Sequence, residues 1–234
     1  MIDNFALVLQ KYGGLYLEGL ALTVELTLLS LAAGFILAWP LALALQSRRR
    51  AFRFPARALA YYATGTPLLV QLFLVYFGLG QFEAVRESPL WIVLREPYWC
   101  ALIAFSLNTA AYSAVIFAGA LNNAPSGEAE AARSCGLSVV QTLALVSCPL
   151  AFRRALPAYG NEMIFLLHGS SLASVVTLLD LTGAARVAAR GTFAFSESYL
   201  TAIILYMGLT ALLVFVVKWA ERRMSAHIHI GASP

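Results

Sequence analysis

Charge is scarce in this sequence. Of its 234 residues only 12% are Asp, Glu, Lys or Arg, while 60% are apolar. Soluble domains carry about 25% charged residues, and a chain of this length has too little interior to hide so much apolar surface. The shortage excludes an ordinary water-soluble domain and calls for a lipid solvent. Cysteine is scarce too. Cys100, Cys135 and Cys148 form no CxxC pair and leave one thiol over, which excludes a metal knuckle and a disulfide framework; they read as small apolar fillers. There is no GxxxxGK[ST] loop, so the chain does not bind ATP by that route. Neither an internal repeat nor a low-complexity tract is present. The first apolar run has no basic lead-in and is too long for a cleavable signal, so none is expected. The net charge of +4 is not interleaved with aromatics as a nucleic-acid surface requires, and no nucleic-acid partner is expected.

What the chain does have is long apolar runs. Backbone polar groups in hydrocarbon must be paired internally, so a span is a helix or a strand of a closed barrel. The runs last about 20 residues without strict alternation, which selects helices. Five are long enough to cross a bilayer: residues 20–45, 59–80, 98–121, 157–181 and 198–217. A sixth apolar stretch, 139–152, is short and holds Pro149, and is expected to be interfacial or re-entrant. The expected fold is therefore all-α with five transmembrane helices. The domain division is a 1–19 outer segment, a 20–223 membrane domain with a loop at 122–156, and a 224–234 tail.

Basic residues orient the bundle. Arg48, Arg49, Arg50, Arg53, Arg57, Arg133, Arg153, Arg154, Lys218, Arg222 and Arg223 fall on one side, against Lys11, Arg86, Arg95, Arg186 and Arg190 on the other. The positive-inside rule places the N-terminus outside and the C-terminus in the cytoplasm, which an odd number of crossings satisfies. Arg48 to Arg57 read as a topology anchor that can also touch anionic headgroups. Trp39, Trp91, Tyr98, Trp99 and Trp219 stand near predicted span ends, as an aromatic belt would. His227-x-His229 in the tail is a weak metal signal, and no metal is expected.

The longest cytoplasmic connection carries Glu128-Ala-Glu130-Ala131-Ala132-Arg133-Ser-Cys-Gly136-Leu137-Ser138. Acids favour a helix start, alanines leave a bare face, and Gly136 can end the helix. Alone this is a generic surface helix. The Glu-Ala-Ala-x3-Gly spacing, followed by Pro149, Arg153, Pro157 and Asn161-Glu162, resembles the EAA loop of ABC importer permeases. Thr64-Gly65-Thr66-Pro67-Leu68-Leu69-Val70-Gln71, Ser106-Leu107-Asn108-Thr109-Ala110-Ala111-Tyr112 and Leu156-Pro157-Ala158-Tyr159-Gly160-Asn161-Glu162 resemble segments of the polar amino acid branch, for histidine, lysine, arginine, ornithine and opines. Together these motifs cover most of residues 20–223 in order.

The resemblance implies a type I importer fold with Glu130, Ala131, Ala132, Gly136, Leu137 and Ser138 forming a coupling helix that docks on an ATPase. It implies a second permease subunit, a heterodimer in many members though a homodimer remains open, two ATPases and a periplasmic binding protein, in the bacterial inner membrane. ATP and magnesium would belong to the ATPase, and this chain would be no enzyme. The residues themselves point to a pathway. Gly65 and Pro67 break a helix at membrane depth, which is tolerated only against protein or a wet cavity. Thr66, Leu68, Gln71, Asn108, Tyr112, Asn161, Glu162, His168 and Ser171 complete the candidate substrate path, since polar groups inside spans are costly and functional by default. Asn108 and Asn161 serve equally well as interhelical ties, and Glu25 as an acid packed on a polar partner. The chain departs from the family at Val115, where an acid follows the tyrosine in several members, and at His168-Gly169, where many carry lysine. A transporter driven by an ion gradient, or a channel, is the alternative; Glu25, Glu162 and His168 would be its only coupling groups.

Overall fold

The computed structural model of the protein describes residues 2–123 and 126–225. Every regular element among them is helical. The chain runs through α1 (Ile2–Gln46), α2 (Arg50–Gly65), α3 (Leu68–Gln81), two single turns α4 (Glu83–Arg86) and α5 (Trp91–Leu94), then α6 (Pro97–Asn122), α7 (Ser126–Ser134), α8 (Val139–Val176), α9 (Leu181–Thr192) and α10 (Phe195–Ser225). Four helices, α1, α6, α8 and α10, are long and apolar enough to cross a membrane. The pair α2–α3 qualifies together but is bent by 110°, so there are five crossings when the pair counts as one. The tail with His227 and His229 lies outside the described residues.

α6 is the axis of the bundle. Two-thirds of its apolar stretch is buried (67%), against 17% for α10. Its inward positions are mostly small, including Ala101, Ala104, Ala110, Ala111, Ala114 and Ala118. Small residues let neighbouring helices approach closely, which substitutes in lipid for the missing hydrophobic drive. Gly34 of α1 lies so near α6 that a Cβ there would collide with the Thr109 methyl. One end of the α1–α6 contact is filled by aromatics: Trp39 stacks on Phe117 with centroids 4.6 Å apart, and Phe35 meets Phe117 and Phe152 edge-on. Trp39 is half-buried in this contact.

The α1 helix continues unbroken through residues 2–19. Its 45 residues make a rod of about 68 Å, more than twice the roughly 30 Å of hydrocarbon, so part of it stands outside lipid. Its N-terminal turns are packed by α9 and α10. Val8 and Tyr16 pack on Ala184, Ala185 and Ala188, and the Tyr16 hydroxyl donates to the Ser198 carbonyl at 2.7 Å. Asp180 caps α9, accepting from the Gly183 and Thr182 amides and from the Tyr206 hydroxyl. That ties α9 to α10 in addition to satisfying its first turn.

The stretch 139–152 is continuous with the fourth apolar run and is not a separate helix. It forms the first part of α8, which runs 38 residues from Val139 to Val176. Pro149 is accommodated because the turn before it, Leu143–Ser147, widens to a π-helix. Pro149 then sits in the first turn of the α-helical stretch that follows, where its missing N–H is not needed. The fourth crossing ends at Val176 rather than 181, because Thr177 turns left-handed (φ 73°).

Candidate functional site

The break between α2 and α3 follows from three residues. Pro67 has no N–H and disfavours helical backbone at Thr66, which is extended (φ −120°, ψ 145°). The Ala63 carbonyl, which would bond the amide at position 67, is thereby orphaned. Two side chains replace the missing donor. Gln71 Nε2 donates to Ala63 O at 2.9 Å, and Asn108 Nδ2 of α6 reaches the same oxygen at 3.3 Å. Gln71 Nε2 also approaches Thr66 O and Oγ1, while Gln71 Oε1 accepts from Asn108 Nδ2 at 3.1 Å. One turn along, the Tyr112 hydroxyl donates to Thr64 O at 3.3 Å. Each unpaired buried carbonyl would cost about 1–3 kcal/mol, so these donors hold the bend open against collapse.

Beside the break lies a cavity of about 510 Å³ between the start of α3, α6 and α8. It is lined by Leu68, Asn108, Tyr112, Ile116, Ala158, Asn161, Glu162, Phe165, Leu166, Gly169 and Leu172. The walls are largely apolar. Asn108, Tyr112, Asn161 and Glu162 supply the polar groups, and no lysine, arginine or histidine is among them. Glu162 is 7% exposed, whereas Phe165 is 72% exposed at the rim. A largely apolar chamber with a few convergent polar groups and one acid suits a small solute bearing a cationic group.

The structure thus brings together Leu68, Asn108, Tyr112, Asn161 and Glu162 of the expected path. Gly65, Thr66 and Pro67 form the bend but do not line the cavity, and Gln71 is buried behind it as a tie. His168 points elsewhere: its Nε2 lies 3.0 Å from Thr210 Oγ1 of α10, and Ser171 Oγ donates back to the His168 carbonyl. Glu25 accepts from the Tyr98 hydroxyl at 2.6 Å, which is the polar packing partner anticipated for it. The sequence reading missed Ile116, Ala158, Phe165, Leu166, Gly169 and Leu172. Those on α8 share one helical stripe with Asn161 and Glu162, at spacings of three and four, and that periodicity was the signal available.

The Glu-Ala-Ala segment forms α7, a nine-residue helix packed chiefly against the first turns of α8. Glu130 and Ala131 are exposed and Ala132 is half-buried. Gly136 has φ +89° and closes a Schellman motif, with Gly136 N donating to Arg133 O and Leu137 N to Ala132 O. Ser138 begins the next helix instead of extending this one. Its hydroxyl accepts from the Gln141 amide and Gln141 Oε1 accepts from the Ser138 amide, a capping box readable in Ser138-Val-Val-Gln141.

Comparison with known proteins gives consistent results. Residues 30–226 match the family described as binding-protein-dependent transport system inner membrane component. The octopine transport system permease protein OccM of Rhizobium meliloti is 43% identical over 213 residues, covering 88% of this chain and 87% of that protein. The histidine/lysine/arginine/ornithine transport system permease protein HisM of Escherichia coli K12 is 37% identical over 216 residues, covering 92% and 91%. Among solved structures, a chain of an amino acid ABC transporter crystallised with histidines superposes with a TM-score of 0.80 at 31% identity, covering 93% of this chain and 97% of its own.

Proposed function

The chain belongs to the binding-protein-dependent transport system inner membrane components, and from that premise we propose how it works and what it carries. It is a permease component of an ABC importer for amino acids or opines. The proposed solutes are those with a cationic group: basic amino acids or the opines built from them. The single observation that carries this is Glu162, the one ionisable acid on a cavity wall that holds no basic residue. In this reading its carboxylate meets an ammonium or guanidinium group, while Asn108 Oδ1, the Tyr112 hydroxyl and the Asn161 amide offer hydrogen bonds to the rest of the solute.

In this reading the N-terminus lies in the periplasm and the C-terminus in the cytoplasm of a bacterium, with α2–α3 counted as one crossing. A periplasmic binding protein delivers solute to the outer side. A second permease subunit, homologous or identical, closes the open flank of the cavity at Asn161 and Phe165. Two ATPase subunits bind ATP and magnesium and take hold of α7, with Glu130, Ala131, Ala132 and Gly136 at the contact. The chain makes and breaks no covalent bond; each conformation is favoured by a different ligand state. The relatives give no support to the ion-gradient alternative.

The test is uptake by the reconstituted transporter with its binding protein. Glu162→Gln is expected to lower uptake of the cationic solute by tenfold or more, an effect on the order of one charge-assisted hydrogen bond. Stimulation of ATP hydrolysis by the loaded binding protein should persist. Uptake at the parent rate would remove Glu162 from the pathway.

A further inference from the structure

The geometry points to a binding site for an anionic phospholipid, its acyl chain in a groove between α1 and α2 and its headgroup on the arginines that follow α1. The groove has a volume of about 400 Å³ and is lined by apolar side chains. On α1 it is walled by Leu37, Pro40, Leu41 and Ala44, and on α2 by Phe52, Pro55, Ala56 and Leu59. Both sets are spaced i, i+3, i+4, i+7, so each helix turns one continuous stripe toward the same furrow. From Ala44 to Leu37 the furrow extends about 10 Å along α1, starting at the turn that joins the two helices.

That turn is where the positive charge stands. Arg48 and Arg49 occupy it, Arg50 opens α2, and Arg53 and Arg57 directly follow Phe52 and Ala56, which places them on one flank of the stripe, roughly a quarter turn away. No acid lies nearby in sequence, since the chain holds none between Glu25 and Glu83. Among the described residues the one ion pair is Arg95–Glu96, and the arginines that donate side-chain hydrogen bonds are Arg154 and Arg186. Among the described residues of this chain the five guanidinium groups therefore have no counter-charge, and in sequence they flank the residues that wall an apolar groove. Lipid supplies both complements at once: phosphate at the interface and hydrocarbon beside it. Guanidinium binds phosphate with paired donors, and each basic group near an anionic leaflet strengthens attachment. Phe52 and Phe54, 57% and 75% exposed, stand between the arginines and would enter the same interface.

The experiment uses the complete transporter, purified and equilibrated with phosphatidylglycerol or with phosphatidylcholine of the same chains, with retained lipid counted by native mass spectrometry. Phosphatidylglycerol should be retained in preference to phosphatidylcholine. The double variant Arg53→Gln/Arg57→Gln leaves Arg48, Arg49 and Arg50 to anchor topology and should weaken that retention roughly thirtyfold. Ala44→Phe fills the furrow without touching charge and should weaken it as well. Equal retention of the two lipids, or parental retention in both variants, would overturn the assignment. So would loss of a bound protein subunit from the arginine variant with phosphatidylglycerol retention unchanged, because the arginines would then serve an acidic protein surface.

Discussion

Gly136 shows how much one residue can decide. It is the one glycine with positive φ among the described residues, and a Cβ there would meet nothing within 4 Å. Its requirement is conformational, not steric. Gly136→Ala forces an L-residue into the left-handed region at a cost of about 1–2 kcal/mol, which would twist α7 relative to α8. ATP-driven uptake should fall several-fold while the amount of protein in the membrane is unchanged. Gly136→Asn, which tolerates that conformation, should retain most of the activity. Similar losses in both variants would point to the lack of a side chain, not the backbone angle, as what docking needs. Gly136 and Glu162 were both legible as residues. Ser138, grouped by motif with the Glu-Ala-Ala helix, caps the helix that follows, through a box with Gln141 that also stands in the sequence.

At the scale of an element the broken crossing is the informative case. Gly65-Thr66-Pro67 announces a break by itself, since proline lacks the donor and constrains its predecessor. What repairs the break could not be read. Asn108 lies 45 positions from the carbonyl it approaches, and only the packing of α6 against α2 brings them together. Gln71→Leu tests the repair. It leaves Thr66 O without its donor and Ala63 O with the longer Asn108 contact alone. The purified transporter should melt a few degrees lower, in line with about 1–3 kcal/mol for an unpaired buried carbonyl. Its apparent affinity for solute should change less than that of Glu162→Gln, because Gln71 does not line the cavity. The reverse ranking would return Gln71 to the pathway. His168 shows the opposite limit: a histidine in mid-helix looked like a pathway group, but the turn of α8 aims it at Thr210 of α10.

The whole molecule is governed by which side of the membrane α7 faces. The native thiols provide a probe, since Cys135 is exposed, Cys100 buried and Cys148 partly so. A membrane-impermeant maleimide should label Cys135 in inside-out vesicles and leave it unlabelled in sealed right-side-out cells. Bound ATPase should then protect it. Labelling from outside would invert the topology and end the coupling role proposed for α7. At this scale the five apolar runs were legible, but the continuity of 139–152 with the fourth of them was not. Length and Pro149 argued for a short separate piece, and the π-turn that lets the proline join α8 has no sequence signature.

Composition and order alone determined that this chain forms long apolar helices suited to lipid, roughly where they lie and where one of them breaks. These are consequences of solvent and of backbone chemistry, which act on each segment separately. Tertiary structure alone decided which polar groups line the cavity beside the break and which are buried behind it as ties. A polar side chain in lipid must find a partner in either case, and only the relative rotation and spacing of α3, α6 and α8 determines whether that partner is the protein's own backbone or something that passes through.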